Sequence, residues 1–341
     1  MSAAFEAEGG GDAHRLADAG AGASLRVRYV HGAAADALLA DPSVLAVVGF
    51  GNAAPLAADP RFVRVALRPI GEPAPLEVWS VRGPVSHGRD GDLAYARDQH
   101  LQLVSLRVPE HGDIRAAGRD AYAQLTGFIA RSTHPHPLRV WNYFDAITEG
   151  EGDAERYRQF CIGRAEGMGD AWAAYPAATA IGCGGRERML QVYALSARRA
   201  GLPVENPRQV SAYRYPRQYG PQAPSFARAM LGGDEGLPLL LSGTASVVGH
   251  ATAHPGDLPA QLQETCNNLE RLLAGSRERV RALPAQLGSA STLKVYLRDP
   301  AAAAATLALL GRRYPGAELL LLEAEVCRRD LLVEIDGFHG P

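Results

Sequence analysis

Residues 256–274, GDLPAQLQETCNNLERLLA, decide the fold. They read as a helix with Asp257 at its N-cap, and a strand, LKVYLRD at 293–299, comes next. The same unit occurs upstream. There DIRAAGRDAYAQLTGFIA at 113–130, capped by Asp113, precedes the strand LRVWNYF at 138–144. Gly112-Asp113-Ile114 matches Gly256-Asp257-Leu258, and Leu138-Arg139-Val140-Trp141 matches Leu293-Lys294-Val295-Tyr296. A strand–helix–strand unit used twice predicts an α+β protein of two halves, each a mostly antiparallel sheet with helices packed on one face.

Segments of period two surround these units. LRVRYV (25–30), SVLAVVGF (43–50), FVRVALRP (62–69), LEVWSVR (76–82) and HLQLVSLRV (100–108) read as strands before the first copy. TASVVGHAT (244–252) reads as a strand before the second copy, which continues with a helix at 300–313 and the strands ELLLLEAEV (318–326) and LLVEIDG (331–337). The Gly/Ala-rich stretch 1–24 reads as a mobile tail. The two halves are then 25–140 and 141–341, meeting near residue 140.

Composition narrows the function. In 341 residues, 47% hydrophobic and 21% charged, a sizeable core can form. The formal net charge of −2 gives no general attraction to nucleic acid or anionic membrane, so neither is an expected partner. No apolar run approaches the ~18 residues of a membrane helix. Cys161, Cys183, Cys266 and Cys327 lie far apart, and the N-terminus lacks the basic and apolar regions of a signal peptide. A reduced, cytoplasmic monomer is the expectation. GFGNAA (49–54) has the short dinucleotide-fingerprint spacing, but Pro55 follows where a helix would have to begin. His250 and His254 have no neighbours that complete a zinc-like ligand set. No cofactor and no metal are expected.

Four places invite chemistry. In the last strand Leu331, Val333 and Ile335 alternate with Leu332, Glu334 and Asp336, so the first set should face the helices and Glu334 the opposite sheet face. Glu334 is either a solvated strand residue or, if that face lines a cleft, a carboxyl whose pKa rises. Residues 206–231, NPRQVSAYRYPRQYGPQAPSFARAML, collect three tyrosines and four arginines in one proline-stiffened stretch. AERYRQFCIGRAEGM (154–168) places Tyr157 and Arg164 seven apart, on one face of a helix. Each Tyr/Arg patch alone reads as a solvated or ion-paired surface; together they suggest a pocket for a small molecule with two anionic ends. In SGTASVVGHATAH (242–254), Gly243 offers a close backbone approach to a bound molecule.

ERYRQFCIGR, PAATAIG (176–182), the 206–229 stretch, SGTASVVGHATAH and the closing VEIDG together resemble the chorismatases, from about Trp141 to Gly337. The closing portion is also similar to the Rid/YjgF (chorismate-mutase-like) fold. The resemblance implies an enzyme, a carbon–oxygen lyase that removes the enolpyruvyl group of chorismate as pyruvate. It places Tyr157, Arg164, Tyr215 and Arg228 around the two carboxylates of chorismate, with Tyr213 adding to the wall, and makes Glu334 the catalytic acid. Hydrolytic chorismatases have alanine where Gly243 stands and lack a cysteine at Cys327. Both positions here match the type that forms 3-hydroxybenzoate, with Cys327 assisting the later steps as a weak donor or thiolate. The alternatives are a hydrolytic enzyme giving a dihydroxycyclohexadiene carboxylate, a dual 3-/4-hydroxybenzoate producer, a Rid-type imine deaminase, and a Rid-like module that binds a small carboxylate without turnover.

Overall fold

The protein is described by a computed structural model that covers residues 24–340 except 52, 53, 55, 56, 72, 185–187 and 235. The expected tail therefore lies outside the described residues, except for Ser24. Part of GFGNAA does too.

Two seven-stranded sheets organise the chain. The first has the spatial order Glu325–Val326, Ala177–Cys183, His136–Asp145, Met189–Ala197, Leu101–Pro109, Leu93–Arg97, Ser86–Asp90. The second runs Arg68–Pro69, Glu318–Glu323, Ser291–Leu297, Val333–His339, Leu239–Ala245, Ala229–Leu231, Leu202–Val204. The two orders correspond strand for strand. Each sheet contains one parallel pair, His136–Asp145 with Ala177–Cys183 and Ser291–Leu297 with Glu318–Glu323. A helix bridges each pair, as parallel pairing requires. The sheets also exchange edges: an early strand, Arg68–Pro69, closes the second, and a late one, Glu325–Val326, closes the first. A four-stranded sheet, Arg26–Val30, Leu76–Ser80, Val44–Phe50 and Phe62–Val65, completes the fold.

Helices Ile114–Arg131 and Arg156–Met168 cover the first sheet, and Leu258–Arg277 and Ala303–Arg313 the second. Both caps form as read. Asp113 accepts from Ala116 N–H and Asp257 from Ala260 N–H, each at 3.0 Å. With helices on the outer faces, the inner faces meet in a core that includes Trp79, Trp141, Tyr193, Tyr296 and Phe338. The α+β reading with two repeated halves holds.

Details differ. Residue 140 falls inside the first sheet, and the chain passes to the second between Ala197 and Leu202, because Ala177–Cys183 and Met189–Ala197 complete the first. TASVVGHAT is not one strand: a strand ends at Ala245, and Val247–Val248 with Ala251–Thr252 form a tight hairpin around Gly249, whose φ is 59°. The last strand begins at Val333. Leu331 precedes it and packs with Ala245, Val247 and Val326 rather than under the helices. Among the described residues no helix is long and apolar enough to cross a membrane.

Candidate active site

A cavity of about 580 Å³ opens where the two sheets meet. Tyr157, Arg164, Tyr215, Arg228, Gly243, Cys327 and Glu334 all line it. Tyr213 does not. It is 36% exposed and rests against Tyr175, with ring centroids 5.3 Å apart. Two short 3-10 turns, Ala212–Arg214 and Arg217–Tyr219, rotate the chain so that Tyr215 turns inward and Tyr213 outward.

Helix packing sets the position of Arg164. A Cβ on Gly163 would lie 2.0 Å from Arg115 O, and one on Gly167 2.1 Å from Arg119 O. Only glycine lets helix Arg156–Met168 settle this closely on Ile114–Arg131. Arg164 is thereby buried, 4% exposed, with its guanidinium carbon 5.0 Å from the Tyr122 ring centre. Its Nε and Nη2 have no hydrogen-bond partner among the described residues. A buried cation with open donors calls for an anion, because an unpaired buried charge is strongly destabilising. Across the cavity Arg228, 5% exposed, donates Nη2–H to Tyr215 OH at 2.6 Å and to Val210 O at 3.1 Å. Its Nε is likewise unpartnered there. Arg328 lies beside Tyr215 and Tyr219, 5.3 and 4.2 Å from their ring centres. Burial keeps the Tyr157 phenol neutral, its pKa raised well above the ordinary range.

Glu334 forms the floor. It pairs with Ala245 and Tyr296 on the neighbouring strands and is 4% exposed. Burial, reinforced by the nearby Asp336 carboxylate, pushes its carboxyl up to about 8, against the opposing pull of Arg139, Arg228 and Arg328. At neutral pH it holds a proton. A Cβ on Gly243 would stand 1.9 Å from Glu334 Oε1, so the carboxyl occupies space that only glycine leaves. Cys327 is half-buried. Its thiol is pushed well above the ordinary range by burial first and by Glu334 second, which makes it a thiol rather than a thiolate.

Behind the floor lies a dry charged cluster that reading the sequence did not find. Asp336 Oδ2 accepts from Arg139 Nη2 (3.0 Å), Trp141 Nε1 (3.1 Å), Thr179 Oγ1 (2.7 Å) and Tyr296 OH (3.0 Å). Lys294 Nζ lies 3.1 Å from Glu77 and 3.7 Å from Asp336. Removing one partner of such a buried ion pair costs about 3–5 kcal/mol. Arg328 and Thr179 were also missed. Arg328 adjoins Cys327, and Thr179 stands inside PAATAIG, so their neighbours were the available signal.

The fold and cavity define an α+β protein in which two buried arginines, with donors unpartnered among the described residues, share a cavity with a carboxyl of raised pKa. Comparison with known proteins is specific. The family model "Chorismatase FkbO/Hyg5-like, N-terminal" matches residues 77–196. A 3-hydroxybenzoate synthase from Streptomyces hygroscopicus is 36% identical over 282 residues, 79% of this chain and 82% of that protein. A chorismatase from Streptomyces rapamycinicus is 35% identical over 274 residues, 76% of this chain and 81% of that protein. A crystal structure of a chorismatase superposes with a TM-score of 0.84 at 30% identity, over 94% of this chain and 99% of that one. The chain belongs to the chorismatase family. The relationship begins earlier than Trp141, where the sequence blocks had placed it.

Proposed function

We propose that the protein converts chorismate to 3-hydroxybenzoate and pyruvate. One observation carries this reading: a buried carboxylic acid, Glu334, protonated at neutral pH, shares its cavity with two buried arginines that have open donors. Arg164 and Arg228, with Tyr157 and Tyr215, take the two carboxylates of chorismate. Arginine suits this, because its planar donors match a carboxylate.

Glu334 then transfers its proton to the terminal methylene carbon of the enol ether. Carbon accepts protons poorly, so the acid must be held in place and kept protonated. The resulting oxocarbenium group becomes a good leaving group. The substrate's 4-hydroxyl oxygen attacks the adjacent ring carbon, the one that carries this leaving group. The bond from that carbon to the ether oxygen breaks, and the oxygen leaves as the keto oxygen of pyruvate. The proton lost from the 4-hydroxyl balances the one Glu334 gave up. Opening of the ring epoxide with a proton shift yields 3-hydroxybenzoate, and no water is consumed. The Cys327 thiol, beside Glu334, serves that last stage as a weak donor. The buried acid facing the cavity favours this over a binding module, which has no use for one.

Glu334→Gln keeps the shape and removes the acid. Pyruvate release should fall ~10²–10⁴-fold, the usual range for a general acid, while a substrate-like dicarboxylate still binds. Near-normal turnover would remove Glu334 from the mechanism.

A further inference from the structure

Strand Leu239–Ala245 shifts register against Val333–His339 between Leu241 and Thr244. Bulges of this kind re-aim groups next to active sites. Gly243 sits in the bulge, outside the paired positions, and its N–H donates to Thr179 Oγ1 at 3.0 Å. Next to it Ser242 Oγ accepts from Ala178 N–H at 2.9 Å and donates to Ala227 O at 2.6 Å. The bulge of the second sheet is therefore pinned, by side chains, to strand Ala177–Cys183 of the first.

Thr179 is the more constrained pin. A hydroxyl has one proton and two lone pairs. Here the proton goes to Asp336 Oδ2 at 2.7 Å, and the lone pairs take Arg139 Nη2 at 2.5 Å and the Gly243 N–H. Every valence is used. The far end is rigid, because Asp336 and Arg139 are fully buried and Asp336 is also held by Trp141 and Tyr296. At the near end Glu334 Oε1 lies against the Gly243 Cα. The Thr179 methyl makes no hydrogen bond.

Resting on the chorismate reading above, we propose that Thr179 is a positioning and specificity-determining residue. Its hydroxyl fixes the Gly243 backbone against the Glu334 carboxyl and so holds the acid where attack by the 4-hydroxyl outcompetes water. An acid displaced with a loosened bulge still protonates some substrate, but in a geometry that gives water its chance. The product then shifts toward the dihydroxycyclohexadiene carboxylate.

Thr179→Ser and Thr179→Ala test this, since both lose the methyl and only alanine loses the hydroxyl. The serine variant should keep wild-type kcat and product fraction. The alanine variant should lose ~10- to 100-fold in kcat, the scale of an ångström-level misplacement, with KM little changed and a smaller 3-hydroxybenzoate share. Exchange of the Gly243 amide should be slow in wild type and serine and fast in alanine. Equal kcat, product fraction and amide exchange in the two variants would overturn the proposal. So would an alanine variant without a cooperative melting transition beside a normally folded serine variant, since Thr179 would then be a purely structural residue. A wild-type protein inert on chorismate would refute the functional reading instead, and the amide exchange would still decide the Thr179–Gly243 bond.

Discussion

Gly243→Ala puts a methyl group where Glu334 keeps its carboxyl. The new Cβ would lie 1.9 Å from Glu334 Oε1, 2.8 Å from its Cδ and 3.3 Å from Thr179 Oγ1. Non-bonded carbon and oxygen rest at about 3.5 Å, so the oxygen must retreat by roughly 1.5 Å. The strand cannot yield instead, because Gly243 N–H is tied to Thr179 and Ser242 to Ala178. The acid is what moves. A displacement of ~1 Å costs on the order of 10² in rate, about 2.7 kcal/mol on the barrier. Pyruvate release should therefore slow by up to ~10²-fold, and the 3-hydroxybenzoate share of the ring products should fall. A coupled assay for pyruvate and chromatography of the ring products measure the two effects. Wild-type rate together with an unchanged product share would refute the contact between Gly243 and Glu334 on which the reasoning stands.

Further outcomes follow from the same site. Arg164→Ala and Arg228→Ala should each lose ~1.5–3 kcal/mol of substrate interaction, seen mainly as raised KM; unchanged kinetics in both would place the carboxylates elsewhere. Turnover should decline as pH rises through about 8, where Glu334 loses its proton, and a flat profile across that region would contradict its role as the acid. Stability carries the same signature. The folded carboxyl binds its proton more tightly than the ordinary value of 4.5, so the folded state holds more protons between 4.5 and about 8, and stability falls as pH rises through that window. Glu334→Gln should remove that part of the pH dependence of Tm; an identical dependence in both proteins would count against a raised pKa.

Much of this was legible in the sequence, for physical reasons. The repeat announced itself through two aspartate caps and two matched strands, since a cap is a local requirement with few residue choices. Glu334 stood out because period two in the last strand separates a helix-facing set from an inner one. The seven-residue spacing of Tyr157 and Arg164 brought both to one cavity. Tyr213 and Tyr215 could not be sorted this way, because 3-10 turns decide their directions and leave no periodic trace. Ala177–Cys183, buried nearly throughout and rich in alanine and glycine, lacks the alternation that marks a half-exposed strand. Missing it moved the junction of the halves to residue 140. The Asp336–Arg139 pair joins residues far apart in the chain, which only the folded sheets bring together.

The central claim concerns the ring product. Purified protein incubated with chorismate, with the products separated by chromatography and identified by mass, tests it directly. The account predicts 3-hydroxybenzoate and pyruvate in equal amounts. Pyruvate accompanied by the dihydroxycyclohexadiene carboxylate, or chorismate left intact, would contradict it.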